Sequence, residues 1–570
     1  MGTKVYVASI VGVLLVIAVV IGTVAMTKNT NGEKENEKNK FVSTKYVTDF
    51  CAPASYKDAC LKSVEPVANN STATPKDYIK AVIHATIEEV QKAMNVTKGM
   101  YIDKKIDPFH HMAVEDCKEL LEDAIDELQA SFSMVGDSEL HTLNDRVDEL
   151  LNWLGAVYSY QTSCLDEFEK PEYKSAIENG MVNATQLTHN AVDIVAAMSE
   201  VLKAFDVDFH LKPNTSRRLL EVYEMGHDSY PAWFQVADRM LLAAHRGGIM
   251  KPNAVVAKDG SGQFKTISEA IAAYPPNFKG RYLIHVKAGV YDEQVTIDKN
   301  KLNIFIFGDG VGKTIVTGHK NYGIMKIQTS NTATFNALGE GFMAKGMTFR
   351  NTAGPKGHQA VALRVQADRA AIFECNIEGY QDTLYYQTHR QFYRDCTISG
   401  SVDFIFGKGS AVIQNSNIIV RKGDVGQFNA VTADGKEIFS ERTGLVLQNC
   451  RIMAGEDLFP VRFQIASYLG RPWKQFSKIV IMESEIGDFI RPEGYNPFVT
   501  QERNTNEKTA EYYEFANRGL GARTDKRSKL FSKFRVIDER EAVQYTVENF
   551  IGGKLWLPAT GGQFTLGFTR

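Results

Sequence analysis

Short similar stretches recur at a regular period in the second half of this 570-residue chain. Cys375-Asn376-Ile377 recurs as Cys396-Thr397-Ile398, and Ser416-Asn417-Ile418 extends the series by one more repeat. A period of roughly 20 to 25 residues with short β-type runs is typical of a parallel β-solenoid, in which residues one period apart stack on neighbouring coils. We therefore predict an all-β, right-handed parallel β-helix for residues 251–570.

Asp382 and Asp403 are also one period apart, so the repeat predicts that they lie side by side on adjacent coils, about 4.8 Å apart. Two such carboxylates cannot both ionise easily, and one pKa rises while the other stays low. That difference supplies a general acid and a nucleophile. The alternative is that both are turn caps, but their DTLY and DFIF contexts lack the usual Gly and Asn. His358 and His389 are expected to be exposed bystanders.

Two further signals depend on this aspartate pair. Gln359 precedes Gln381 by one coil, so two amides are predicted beside the carboxylates, where they can donate hydrogen bonds to a developing oxyanion. Arg471 and Trp473 belong to the string LGRPWK, which indicates a rigid loop that offers a guanidinium and an indole. A guanidinium stabilises an ionised carboxylate, and an indole can stack on a sugar ring.

Residues 47–206 show a different periodicity. Ile79, Val82, Ile83 and Ile87 follow the spacing of one helix face, and three later segments continue the pattern. Four long amphipathic helices predict an all-α four-helix bundle before the β-helix.

The bundle contains four cysteines, which allow three pairings in an oxidising compartment. Cys51–Cys60 would close a short N-terminal hairpin, and Cys117–Cys164 would tie two helices together. No CxxC motif or histidine cluster indicates zinc here. The strings FCAPASYKDAC, DCKELLEDAIDEL and YQTSCLDEF resemble the invertase and pectin methylesterase inhibitor family over the whole bundle, and that family's two disulfides match these pairs.

The N-terminus carries an apolar segment within residues 1–28. Val5–Met26 contains no charged residue and is long enough to span a bilayer. We favour a signal-anchor, with a cleaved signal peptide as the alternative, and either route leads into the secretory pathway. Residues 29–46 form a polar stalk. Sequons for N-glycosylation fit that route; they lie at Asn69, Asn70, Asn95, Asn183 and Asn214.

Residues 207–250 are predicted to be a processing linker between the two domains. Arg217-Arg218 and Arg239 are candidate sites for a protease, since basic residues on an exposed linker are readily cut. An arginine-rich helix end is the alternative.

The two halves carry opposite charge. Residues 1–250 contain 24 Lys and Arg against 36 Asp and Glu, a net charge of −12, whereas residues 251–570 contain 41 against 32, a net charge of +9. This asymmetry indicates that the halves touch each other or that the basic half meets a polyanion. The alternative is that each half carries its charge for solubility alone.

Five strings in the second half resemble the pectinesterase family, in the order that family uses: GVYDE, GHQAVAL, GYQDTLY, VDFIFG and YLGRPWK. The resemblance implies a secreted plant carboxylic ester hydrolase that removes methyl esters from cell-wall pectin and releases methanol. It implies pectin rather than nucleic acid as the partner, an N-terminal inhibitor-like pro-region, and no metal or organic cofactor.

Carried over residue by residue, the resemblance implies that Asp403 is the nucleophile and that Asp382 protonates the departing methanol and then activates water. Gln381 and Gln359 would stabilise the tetrahedral oxyanion.

The same resemblance makes Arg471 the residue that orients Asp403, and Trp473 and Thr329 residues that contact the sugar. The chain departs from the family pattern after VDFIFG, where Lys408 replaces the usual Asn. Lys408 would either raise affinity for de-esterified stretches or reflect ordinary loop variation.

Three other functions are possible for a β-solenoid with paired carboxylates. A retaining glycosidase also places two carboxylates about 5 Å apart. The motifs of polygalacturonases and the calcium-binding acidic cluster of pectate lyases are not evident. An inactive wall-binding protein is disfavoured by the complete set of aspartates, glutamines and arginine.

Overall fold

The computed structural model describes residues 46–70, 72–102, 106–205, 251–499 and 506–569. The N-terminal apolar segment, nearly all of the stalk, and the linker with its candidate cleavage sites lie outside the described residues. Of the helices within those ranges, none combines the length and the apolar character that a membrane span needs. The predicted domain boundaries therefore remain predictions.

The first half of the described chain is helical, as predicted, and its four long helices pack against one another in sequence order. The apolar residues at helical spacing are buried, among them Ile79, Val82 and Ile83. The helices are α1 (Lys57–Ala68), α2 (Pro75–Ile102), α3 (Pro108–Asp137), α4 (Val147–Asp166), α5 (Pro171–Ala196) and α6 (Met198–Ala204).

Local sequence explains where these helices begin. Helices α2, α3 and α5 each start on a proline, which is favoured in the first turn because its missing N–H would have no partner there. Before α3, the Asp107 side chain accepts a hydrogen bond of 3.0 Å from the backbone N–H of His110 and so caps the helix. The structure contains the disulfides Cys51–Cys60 and Cys117–Cys164, which are the predicted pairs. The second bond joins α3 to α4.

The second half consists of short strands connected by turns. The strands are β1 (Ala254–Val256), β2 (Tyr282–Val286), β3 (Gly289–Asp292), β4 (Val295–Ile297), β5 (Ile304–Gly308), β6 (Thr314–Gly318), β7 (Phe335–Ala337), β8 (Met343–Lys345), β9 (Thr348–Asn351), β10 (Leu363–Val365), β11 (Ala370–Phe373), β12 (Asn376–Glu378), β13 (Leu384–Tyr386), β14 (Arg390–Arg394), β15 (Thr397–Gly400), β16 (Ile405–Gly407), β17 (Ser410–Gln414), β18 (Asn417–Val420), β19 (Asn429–Asp434), β20 (Gly444–Gln448), β21 (Arg451–Ala454), β22 (Ser467–Gly470), β23 (Lys478–Met482), β24 (Glu485–Ile486), β25 (Glu511–Phe515) and β26 (Arg535–Val536).

These strands form three parallel sheets of 11, 7 and 8 strands, and each complete coil contributes one strand to each sheet. Sheet A runs from β1 to β26, sheet B runs from β4 through β7, β10, β13, β16 and β19 to β22, and sheet C runs from β3 to β24. The register follows the sequence repeat, since Ile377 pairs with Ile398 and Ile398 pairs with Ile418. The predicted bundle followed by a parallel β-helix is therefore confirmed.

The interior of the β-helix is a continuous stack of buried aliphatic and aromatic side chains. Helix α7 (Ile267–Ala272) covers its open first coil with Ile267, Ala270 and Ile271, and the Thr266 side chain caps that helix. At the other end, short helices pack on the outside of sheet A; they are α8 (Glu539–Ala542), α9 (Val547–Phe550) and α10 (Gly553–Trp556).

Three cysteines of the β-helix, Cys375, Cys396 and Cys450, are buried and free. Cys375 and Cys396 stack one coil apart in the apolar interior, and burial raises the pKa of both thiols. Although they lie one coil apart, Cys375 and Cys396 are two separate thiols.

Candidate active site

Asp382 and Asp403 occupy equivalent positions on consecutive coils. Each lies two residues before a strand of sheet B, and those strands pair with Leu384 opposite Ile405. Both side chains are buried and both line the same cleft. Each also has a left-handed backbone, with φ of 61° and 49°. Both aspartates are therefore turn residues that also line the cleft. The interpretation as turn caps and the interpretation as functional carboxylates do not exclude each other.

Arg471 fixes the orientation of Asp403. It follows strand β22, and its Nε lies 2.8 Å from Oδ1 and its Nη2 2.5 Å from Oδ2 of the carboxylate. This two-point geometry is specific to a guanidinium and favours the ionised form of its partner. The aromatic rings of Phe428 and Phe498 lie 5.2 and 4.3 Å from the guanidinium carbon and hold it in place.

Asp382 has no comparable cation of its own. Burial raises the pKa of the Asp382 carboxyl well above its ordinary value, the negative charge of Asp403 raises it further, and the charge of Arg471 opposes the shift. The two carboxyl groups therefore differ in environment: Asp403 is paired with a guanidinium, whereas Asp382 is favoured in its neutral, protonated form.

The two glutamines are adjacent across the coils. Gln359 and Gln381 pair as neighbours in a parallel bridge, and the backbone N–H of Ala360 donates a 3.2 Å hydrogen bond to the Gln381 carbonyl. The two glutamines thus lie one coil apart, as predicted. Thr329, which lies in a loop before β7, lines the same cleft.

The cleft has a volume of about 280 Å³ and includes all seven residues that the sequence singled out. Its floor is the outer face of sheet B, where Tyr385 and Phe406 stack with ring centroids 4.3 Å apart. Trp473 packs edge-on against Phe406 at 6.1 Å. The predicted residues in the cleft are Thr329, Gln359, Gln381, Asp382, Asp403, Arg471 and Trp473.

Sequence reasoning missed the aromatic floor, although the signal was present. Tyr385 and Phe406 are separated by the same period as the two aspartates, and each comes one short step after its aspartate in the chain. The spacing that selected the aspartates would also have selected this pair. Phe498 carries no such signal, because it lies in an irregular segment after the last strand of sheet B.

The helical half closes one side of the cleft. Ser163 and Asp166 at the end of α4, and Glu167 and Glu169 just beyond it, are part of the cleft lining. The Gln328 side chain donates a 2.9 Å hydrogen bond to the backbone carbonyl of Glu167. The bundle therefore lies directly against the candidate catalytic groups, in agreement with the contact between the halves that their opposite charges indicated.

The expectation that His389 is exposed was wrong. Its side chain is buried between the two halves, where Nε2 lies 3.2 Å from both Glu127 and the Tyr160 hydroxyl. Helices α3 and α4 cover the turn that would otherwise expose it. His358 is exposed, as expected. Across the described residues, no three His, Cys, Asp or Glu side chains are grouped so that they could hold a metal ion.

The outer sheet face of this parallel β-helix carries a guanidinium-paired carboxylate, a buried carboxyl, two amides and an aromatic floor, which are groups that a hydrolase site uses. The model of the family described as Pectinesterase matches residues 253–554, and that of the Plant invertase/pectin methylesterase inhibitor family matches residues 45–194. The chain belongs to the pectinesterase family and is an enzyme of that class, with an inhibitor-like domain in front of the catalytic one.

Several relatives match nearly the whole length of this chain. The chain is 41% identical to Pectinesterase 4 of Arabidopsis thaliana, over 98% of this chain and 99% of that one. It is 42% identical to the Probable pectinesterase/pectinesterase inhibitor 13 of the same plant, over 92% of this chain and 82% of the relative. Among solved structures, a pectin methylesterase from carrot is 46% identical, with a TM-score of 0.55; the match covers 56% of this chain and 99% of that one.

Proposed function

We propose that this protein demethylesterifies methyl-esterified polygalacturonate of the plant cell wall through an acyl-enzyme formed on Asp403. The observation that carries the proposal is the asymmetry of the aspartate pair. One carboxylate is paired with the Arg471 guanidinium, burial favours the protonated form of the other, and both border one cleft. An ester hydrolysis that proceeds by nucleophilic attack needs these two forms at once.

In the first half-reaction, an Asp403 oxygen attacks the ester carbonyl carbon, and the carbonyl electrons move onto oxygen. The amides of Gln381 and Gln359 stabilise this oxyanion by hydrogen bonding. The intermediate then collapses, the bond to the methoxy oxygen breaks, and the departing oxygen takes the proton of Asp382. Methanol leaves, and an anhydride joins Asp403 to the galacturonate unit.

In the second half-reaction, Asp382 is ionised and accepts a proton from water as that water attacks the anhydride. The bond to Asp403 breaks, which returns the ionised nucleophile and releases the galacturonate unit as a free carboxylic acid, whose proton then passes to solvent. Asp382 ends protonated, so the site returns to its starting state.

Substrate binding is assigned to the aromatic and polar lining of the cleft. The Trp473 indole and the Tyr385–Phe406 stack offer apolar faces to sugar rings, and Thr329 offers a hydroxyl. The net charge of +9 on residues 251–570 attracts a polyanionic chain and raises its local concentration.

The inhibitor-like domain is proposed to restrain this site in cis. Four of its residues line the cleft, so a polymer cannot pass through it while α4 remains in place. Cleavage near Arg217-Arg218 or Arg239 would make the restraint intermolecular and reversible. Secretion to the cell wall, by way of an N-terminal signal or anchor, fits the five sequons of the helical half and the location of pectin.

The catalytic assignment is tested by Asp403→Asn in the linker-cleaved protein, with methanol and reducing ends measured on methyl-esterified pectin. We expect methanol release without new reducing ends from the unmodified protein, and a loss of at least about 10³-fold in the variant. New reducing ends would indicate a depolymerase instead. Methanol release by the variant at an unchanged rate would disprove the nucleophile assignment.

The restraint is tested by comparing the same protein before and after cleavage at a protease site inserted into residues 207–250. We expect methanol release to rise after cleavage and to fall again when the separated helical domain is added back. Equal activity in all three preparations would rule out inhibition in cis.

A further inference from the structure

Two lysines beside the cleft are held by a carboxylate of the helical half. Lys408 Nζ lies 2.9 Å from one oxygen of Asp166, and Lys474 Nζ lies 2.6 Å from the other. Lys408 also donates a 2.7 Å hydrogen bond to the Thr162 hydroxyl, and both ammonium groups lie 3.4 Å from Glu437.

The charges of this cluster do not balance within the catalytic domain. Lys408 and Lys474 contribute two positive charges, and Glu437 contributes one negative charge from the same domain. The second negative charge comes from Asp166, which belongs to α4. When the bundle leaves, one positive charge beside the cleft therefore lacks a partner.

The cluster adjoins the surface on which sugars are proposed to bind. Lys408 Nζ lies 4.9 Å from the centre of the Trp473 ring and Lys474 Nζ lies 5.6 Å from it, and Asp166 itself lines the cleft. Asp403 and Lys408 flank strand β16 at opposite ends. Lys408 therefore lies on the same coil as the nucleophile, at the other end of the strand.

We propose that Lys408 and Lys474 form a subsite for the free carboxylate of a galacturonate unit near the one being de-esterified, and that Asp166 occupies this subsite in the uncleaved chain. The inference rests on the proposed function and names the charge state of the substrate that the site prefers. A free galacturonate carboxylate restores the missing charge, whereas a methyl ester does not. The enzyme thus favours esters next to units that are already de-esterified.

The state of Asp166 in the complex supports a strong carboxylate site. Burial by itself would raise the pKa of Asp166, but the two ammonium groups outweigh it and lower that pKa to about 2. The side chain of Lys408 is only 3% exposed. Departure of the bundle removes Asp166 and Thr162 from Lys408 and leaves its ammonium group at the edge of the cleft, where a substrate carboxylate can take the place of Asp166.

The test uses the linker-cleaved protein and two hexagalacturonate probes, one fully methyl-esterified and one with free carboxylates next to the remaining esters. We expect kcat/KM to be about tenfold higher on the second probe, as one charged contact of about 1.4 kcal/mol would give. Both kcat/KM values are measured on the same preparation. Their ratio therefore does not depend on the fraction of enzyme molecules from which the bundle has dissociated. Lys408→Gln should reduce the ratio to near one, and Lys408→Arg should retain it.

The matched control is Lys345→Gln, which removes a lysine paired with Glu374 on sheet A, away from the cleft; its ratio should stay unchanged. A ratio near one in the unmodified protein, or an unchanged ratio in both Lys408→Gln and Lys474→Gln, would overturn the subsite.

Calorimetry with fully de-esterified hexagalacturonate separates the subsite from the proposed function and does not depend on turnover. Binding that weakens about tenfold in Lys474→Gln supports the subsite, whether or not methanol is released. A failure to release methanol from either probe would refute the proposed function but not the subsite. Equal binding of the free acid and its methyl ester by the unmodified protein would refute the subsite.

Discussion

Asp382 and Asp403 adopt a backbone conformation that most side chains avoid, because Cβ approaches the following carbonyl in the left-handed region. Such a residue costs on the order of 1–3 kcal/mol and persists only where the surrounding coils impose it. Asp403 recovers part of that cost through its contacts with Arg471. Asp382 has no such compensation, and burial of its carboxyl group adds a further cost when that group is ionised.

Replacing Asp382 by Asn should therefore raise the Tm at pH 7. The pKa of Asp382 in the folded state is raised above the value of about 3.9 for an unfolded chain. Between these two pKa values the unfolded state binds fewer protons than the folded state, so stability falls as the pH rises. The stability associated with this group is present below about pH 4 and is lost as the pH rises through the folded pKa. Asn does not titrate, so the gain in Tm should grow from pH 4 to pH 7, reaching about 2 °C or more by calorimetry.

Asp403→Asn is the comparison for this measurement. It breaks the ion pair with Arg471 and leaves a buried guanidinium without its partner, so the Tm at pH 7 should fall. If both variants lost stability equally at pH 7, Asp382 would not be the destabilising member of the pair.

Helix α4 is the element on which the two halves of the molecule meet. Every residue from Ser159 to Cys164 is buried, although several are polar. Gln161 donates a 2.9 Å hydrogen bond to Thr188 inside the bundle, whereas other polar residues contact the β-helix; for example, the Ser159 hydroxyl donates a 3.1 Å hydrogen bond to the Gln387 carbonyl. A helix with a buried polar face needs a second polar surface, and sheet B with its flanking turns supplies it.

The Cys117–Cys164 disulfide anchors the end of α4 that reaches the cleft, since Cys164 lies only two residues before Asp166. Replacing both cysteines by alanine should cost the bundle about 2–4 kcal/mol of stability. It should also raise methanol release by the uncleaved chain, because the cleft-facing end of the helix is held less firmly. The measurement is activity and Tm of the full chain.

Removal of the Cys51–Cys60 disulfide is the control, as this bond closes a hairpin at the start of the bundle. It should lower Tm but leave the activity of the uncleaved chain unchanged. Equal activation by both double replacements would mean that general loosening of the bundle, rather than the position of α4, controls access.

At the scale of the whole molecule, the opposite charges of the halves meet at one interface. In the ion pairs that cross between the described parts of the two halves, the acid lies on the bundle and the base on the β-helix. These pairs are Asp123 and Asp126 with Lys299, Glu127 with His389, Asp148 with Arg442, Glu149 with Arg390, and Asp166 with Lys408 and Lys474.

Salt should therefore release the helical domain after the linker is cut. The pairs Asp126–Lys299 and Asp148–Arg442 are largely exposed and are screened at moderate ionic strength, whereas the Asp166 cluster is screened less. We expect the Kd of the two fragments to rise about tenfold between 0.05 and 0.5 M NaCl, as measured by sedimentation or calorimetry. A Kd that falls with salt would show that apolar contact dominates the interface.

Two other carboxyl groups of this interface respond to pH. Burial, with repulsion from Glu119, raises the pKa of Asp116 to about 6, and burial, with repulsion from Asp116, raises that of Glu167 to about 8. Both groups accept hydrogen bonds from the Ser330 hydroxyl of the β-helix. The pKa of His389 is also raised, because Glu127 and Asp368 outweigh the opposing effects of its burial and of Arg390. All three groups hold their protons more tightly in the docked state.

Docking should consequently be tighter at pH 5 than at pH 8. The docked state binds more protons than the separated halves, so protonation of these three groups favours docking. This contribution to the free energy of docking is full below their ordinary pKa values and is lost as the pH rises through the raised pKa values of the docked state. Asp166 acts in the opposite sense, but only below about pH 4, because its pKa is lowered. We expect at least a tenfold change in the Kd of the cleaved halves, and a flatter dependence in Asp116→Asn combined with Glu167→Gln. A Kd independent of pH would contradict this.

Much of the catalytic half could be predicted from spacing, because a β-helix places residues one period apart on neighbouring coils. The aspartates, the glutamines and the buried isoleucines follow from that geometry. Arg471 was found through its motif, since the 68 residues that separate it from Asp403 are not a simple repeat. The burial of His389 could not be predicted, because the helices that cover it come from the other half of the chain.

The sequence by itself determined the two architectures, the stacking of the aspartate pair and the opposite charge of the halves, since periodicity and composition are local properties that set which faces are buried. Only the tertiary structure decided where the halves meet, which carboxylate Arg471 holds, and that Asp166 rests on Lys408 and Lys474 at the edge of the cleft. The docking of one folded surface on another depends on shape and charge assembled from distant segments, and no spacing along the chain records it.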